Sequence, residues 1–172
     1  MKFDIQTSVG LALMFVGGFA YAAQAQTSVA SQGETVVTSE VQRLTVQAKI
    51  KTHEVQIGLP SDERPTVIES NCTYSKYPCS IVDRLDITVN GRPLFVPRSV
   101  FTDLADLTKA EVTKGKRRPV LTLYGGDASE GYIVKIEFDS TQVLRRTLSS
   151  TLTPATPLQE TTYHLQEHDP GL

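Results

Sequence analysis

The chain has 172 residues, enough for one domain of ordinary size with a real hydrophobic core. Seventeen Lys and Arg against nineteen Asp and Glu leave a formal net charge of −2, which gives no general attraction to nucleic acid or to an acidic membrane. Tryptophan is absent and aromatics make up only 7% of the chain, so a carbohydrate groove built on aromatic platforms is not favoured.

Residues 1–25 read as a cleaved signal peptide. Lys2 supplies a weak positive start, with Asp4 against it. Residues 9–19 form an apolar run broken by Gly10, Gly17 and Gly18, and Ala23-Gln24-Ala25 offers small residues where a signal peptidase reads. The run falls short of the roughly 20 apolar residues of a membrane span. The sequence therefore predicts a periplasmic protein, or alternatively a secreted one, with no stable membrane insertion after cleavage near Gln26.

Residues 26–40 are rich in Ser, Thr, Gln and Gly and read as a flexible leader. A single β-rich domain is expected over 41–166, with 167–172 as a C-terminal tail. Leu44, Val46, Ala48 and Ile50 alternate with polar residues, the period of a half-buried strand, and Val55, Ile57 and Leu59 continue it. Residues 60–65 form a loop by composition, and Val67 and Ile68 start a short strand running into Cys72. Leu85, Ile87 and Val89 alternate again and meet Asn90-Gly91, a strong hairpin signal because both residues accept positive φ. Pro93 and Pro97 flank the returning strand, which should be short or at an edge.

Ser99 is placed to cap one short helix with Val100, Phe101 and Leu104 on its apolar side. Strands follow over 107–113, 120–124, 132–138, 143–148 and 160–165, separated by a charged turn at 114–119, a Gly-rich loop at 125–131 and a turn at 139–142. Such spacing predicts a mainly β fold, an antiparallel β-sandwich or barrel-like domain with one short helix and one disulfide.

Cys72 and Cys79 are the only cysteines. In an oxidising space such a pair is most simply a disulfide, worth about 2–3 kcal/mol for so short a loop by chain-entropy reasoning. The spacing is not that of a Cys-x-x-Cys redox pair, and two cysteines do not close a metal site. The loop carries Tyr74, Lys76 and Tyr77. Tyrosine is an efficient interface anchor, and a pinned loop has little entropy left to lose on binding. These three residues are therefore candidate partner contacts. Lys116, Arg117 and Arg118 in the charged turn are further candidates, suited to an acidic partner.

His164-Leu165-Gln166-Glu167-His168 fits the inverted zinc-protease pattern. Pro170-Gly171 would end any helix there, however. In a strand the two histidines would stand about 13 Å apart, too far for one ion. His53 reads as a half-exposed strand residue rather than a base. Gly125-Gly126-Asp127 lacks the Lys, the Ser/Thr and the helix of a phosphate loop, and reads as a connection needing unusual φ.

No catalytic set, metal ligand set or cofactor is assigned. The chain is expected to be a non-enzymatic protein-binding module whose partner is another envelope or secreted protein, and not nucleic acid. The most concrete form is an inhibitor or immunity-type protein acting against an envelope toxin or hydrolase. The alternatives are an accessory subunit of an envelope assembly and, remotely, a metallohydrolase using His164 and His168.

Overall fold

A computed structural model describes residues 26–56, 72–73 and 76–164. The expected signal peptide, Tyr74, the strand over Val67 and Ile68, and His168 lie outside the described residues.

Among the described residues, ten strands form two antiparallel sheets packed face to face. They are β1 (Thr27–Ser28), β2 (Gly33–Val41), β3 (Leu44–Val55), β4 (Cys79–Val89), β5 (Arg92–Pro93), β6 (Leu107–Lys114), β7 (Pro119–Gly125), β8 (Tyr132–Phe138), β9 (Val143–Ser150) and β10 (Pro157–Thr162). One sheet runs β2-β3-β4-β5, the other β1-β6-β7-β8-β9-β10.

Alternation decides which side chains meet between the sheets. Val46, Ala48 and Ile50 of β3 and Leu85, Ile87 and Val89 of β4 turn inward against Leu121, Leu123, Val134, Ile136 and Phe138 of β7 and β8. Burying a side chain of this size stabilises the fold by roughly 1.5–3 kcal/mol, so this double layer is the main support of the fold. Val100, Phe101 and Leu104 are also buried and pack against it from the connection between β5 and β6.

Two expectations need correction. The proposed leader, 26–40, contains β1 and most of β2, which pairs with β3 along its whole length. Its polar composition hides a strand pattern, with Thr35, Val37 and Val41 buried and Glu34, Thr38 and Glu40 facing solvent. The short helix is a single 3-10 turn, Arg98–Val100, with Pro97 at its N-cap and no side-chain cap. Ser99 instead lies within the turn.

Other boundaries follow the sequence closely. Asn90 and Gly91 both take positive φ and join β4 to the two-residue edge strand β5. The Asn90 side chain also accepts from the Thr45 backbone N–H at 2.9 Å. The last strand starts at Pro157, earlier than expected, and lies exposed at the sheet edge.

Candidate functional site

The two surfaces singled out in the sequence sit at opposite ends of β6. That strand begins beside Asp106 and the disulfide and ends at Lys114, in the basic turn. Eight residues at about 3.3 Å each separate the two ends by roughly 23 Å. They are two surfaces, not one.

At the first end, Cys72 and Cys79 are bonded, with their Cα atoms 5.7 Å apart. A disulfide fits an oxidising, non-cytoplasmic compartment. Among the described residues no helix is long and apolar enough to cross a membrane. Sequence reasoning missed the residue that seats this loop. Asp106 is fully buried, and its carboxylate accepts from the backbone N–H of Thr73 at 2.8 Å and of Ser80 at 2.9 Å. The Lys76 ammonium lies 3.8 Å from the same carboxylate. Lys76 is therefore engaged in holding the loop, while Tyr77 is 39% exposed and available for contact. The available clue was an acid standing alone between Leu104-Ala105 and Leu107.

The Gly125-Gly126 pair belongs to this end. A Cβ on Gly125 would lie 2.3 Å from the Tyr132 ring, so the absence of a side chain lets that ring lie flat on the strand. Gly126 takes φ +71°. The seated Tyr132 hydroxyl donates to the Ala105 carbonyl and accepts from the Ala105 N–H at 3.1 Å. Burial pushes its phenol well above the ordinary tyrosine range. Asp127 caps the following 3-10 turn by accepting from the Ala128 N–H at 2.7 Å. The Gly-rich loop thus holds Tyr132, Tyr132 holds Ala105, and Asp106 next to it holds the disulfide loop.

At the other end, Lys116, Arg117 and Arg118 are exposed in the β6–β7 turn. The Gly115 N–H donates to the Arg118 carbonyl at 2.9 Å and closes that turn. The turn borders a groove of about 640 Å³ on the outward face of the six-stranded sheet. Val120, Lys135, Glu137, Arg145, Thr147, Ser149 and Glu160 line its floor, and Pro154, Ala155 and Pro157 its far end. None of the floor residues stands out in the sequence, because their neighbourhood depends on the pairing of β7, β8, β9 and β10.

Charge in the groove is unevenly committed. Arg145 bonds to Glu137 and lies 3.6 Å from Glu160. Glu137 first, and Glu160 after it, hold the guanidinium proton more firmly than usual. Lys116, Arg117, Arg118 and Lys135 make no salt bridge within 4 Å among the described residues. Nearby, burial works against ionisation of Asp139. Hydrogen bonds from Thr141 and Gln142, helped by the Arg118 charge, outweigh it and hold the carboxyl below the usual range.

No known protein family, curated protein or solved structure matches this chain. The chemistry of its surfaces is therefore the basis for a functional reading. His53 is half exposed and its Nδ1 lies 2.6 Å from the Asp83 carboxylate, on the outward face of the four-stranded sheet. His164 is exposed just beyond β10.

Proposed function

We propose that this chain is an exported, non-enzymatic binding module of the periplasm or extracellular space. Its most concrete form is an inhibitor or immunity-type protein that neutralises an envelope-acting toxin or hydrolase. The groove beside the basic turn carries this reading. A net-acidic protein here gathers four cations, none in a salt bridge among the described residues, around a groove on the outward face of one sheet. Local charge of one sign favours encounter with a partner of the other and sets its orientation. Tyr77 on the pinned loop offers a second contact.

The exposed edge strand β10, with Leu158 68% exposed, favours a second reading as a subunit of an envelope assembly, since an open edge can pair with another strand.

One experiment addresses both. The exported chain and an Arg117→Glu, Arg118→Glu variant are crosslinked in envelope extract. The binding-module reading expects a distinct protein partner whose yield drops at least about tenfold in the variant. Equal yields from the two chains overturn it. Crosslinking only to further copies of itself, unchanged by the variant, selects the assembly reading.

A further inference from the structure

We infer that the groove receives an extended acidic segment of the partner, with Lys116, Arg117, Arg118 and Lys135 reading its carboxylates; this rests on the binding-module reading above. Among the described residues the carboxylates lining the groove are Glu137 and Glu160, and both are spent on Arg145. What remains for a ligand is therefore positive. Arginines offer forked donors matched to a carboxylate, and lysines offer compact charges on flexible stems.

Shape narrows the occupant. Arg145, Thr147 and Ser149 follow one another along the outward side of β9, giving a floor of about 13 Å. An extended peptide of about five residues covers that length. Thr147, half-buried, supplies a hydroxyl that can bond a peptide carbonyl or carboxylate, while Ser149 is buried in the floor. Val120, Pro154 and Pro157 give apolar contact for the methylenes of a glutamate side chain. Among the described residues no aromatic side chain lines the groove, so none of them stacks a nucleobase or offers the aromatic platform common in sugar sites.

The test uses the exported full chain and a labelled peptide of about ten residues alternating Glu and Ser, beside an equal peptide with Gln for Glu, followed by anisotropy at about 50 mM salt. The Glu peptide is expected to bind and the Gln peptide to fail. Lys135→Glu should weaken binding about five- to tenfold, while Lys51→Glu, the same charge change on the other sheet's outward face, should alter it less than about twofold. Unchanged melting temperatures show that both variants are folded.

Equal losses from the two variants would reduce the attraction to net charge and overturn the inference. So would absence of binding, or displacement of the peptide by a sulfated oligosaccharide or an oligonucleotide at about a hundredth of its concentration. If the peptide fails while Arg117→Glu with Arg118→Glu still abolishes partner capture, the acidic-segment inference falls and the binding module stands. Failure of both experiments removes the module reading as well.

Discussion

A single phenol links three parts of the chain. Tyr132 satisfies both backbone groups of Ala105 from the far sheet position that Gly125 leaves open. Tyr132→Phe keeps the ring and strands a buried N–H and C=O. Denaturant unfolding should show a loss of about 1–3 kcal/mol. Titration gives a second prediction at this scale. Asp139 is held below the usual range, against an unfolded value of about 4. A depressed acid contributes stability above its unfolded pKa and loses it as pH falls through the folded one. Carboxyl chemical shifts followed by NMR should place the Asp139 midpoint below those of solvated aspartates. Thr141→Val, which removes one donor to the carboxylate, should raise it. In sequence, Asp139-Ser140-Thr141-Gln142 is legible as a turn, because the same side-chain acceptor that lowers the pKa also makes the bend. Asp106 and Tyr132 are not legible as a pair, because their link runs through the backbone of Ala105 and depends on Tyr132 of β8 reaching across Gly125 of β7 to the start of β6.

At the scale of elements, β9 holds the most unusual placement. Arg146 faces inward opposite Ile136 and is only 2% exposed. Its guanidinium donates to both Asp103 oxygens, at 2.7 and 2.9 Å, and to the Gln159 side chain at 3.1 Å. The connection before β6, strand β9 and strand β10 are tied together there. Removing one partner strands a buried cation, whereas replacing that cation with an apolar chain does not. Asp103→Ala should therefore cost about 2–3 kcal/mol and Arg146→Met clearly less, as read from urea midpoints. Arg145-Arg146 looks like two exposed charges in sequence. The bulge between β8 and β9 decides which of them turns inward. Strand β2 was hidden for a related reason: its buried side includes Thr35, and its exposed side is polar enough to pass for a leader. By contrast, β3, β4 and β8 are plain in the sequence, because Val46, Ala48 and Ile50, then Leu85, Ile87 and Val89, then Tyr132, Val134, Ile136 and Phe138 are apolar inward runs that alternate cleanly, although Thr52 and Ser80 are buried as well.

Across the whole molecule, the basic turn changes meaning. Alone, it is a charged hairpin that discourages edge pairing. In the folded chain it forms one rim of a groove whose other cation, Lys135, comes from a strand beyond β7. All these charges are exposed, so attraction to a partner there is screened by salt, with a range of about 8–10 Å at physiological ionic strength. The disulfide loop stands about 23 Å away along β6 and has its own anchoring, so on the proposed reading the two surfaces would meet separate parts of a partner. The sequence by itself determined the β class, the hairpin at Asn90-Gly91 and the Cys72–Cys79 bond. Each rests on local periodicity, on local φ preference or on the chemistry of two thiols in an oxidising space. Only the tertiary structure decided that Asp106 seats the pinned loop, that Arg146 is buried and Arg145 is not, and that the basic turn opens onto a groove. Those outcomes depend on the register and order of strands far apart in the chain, which no local window of residues contains.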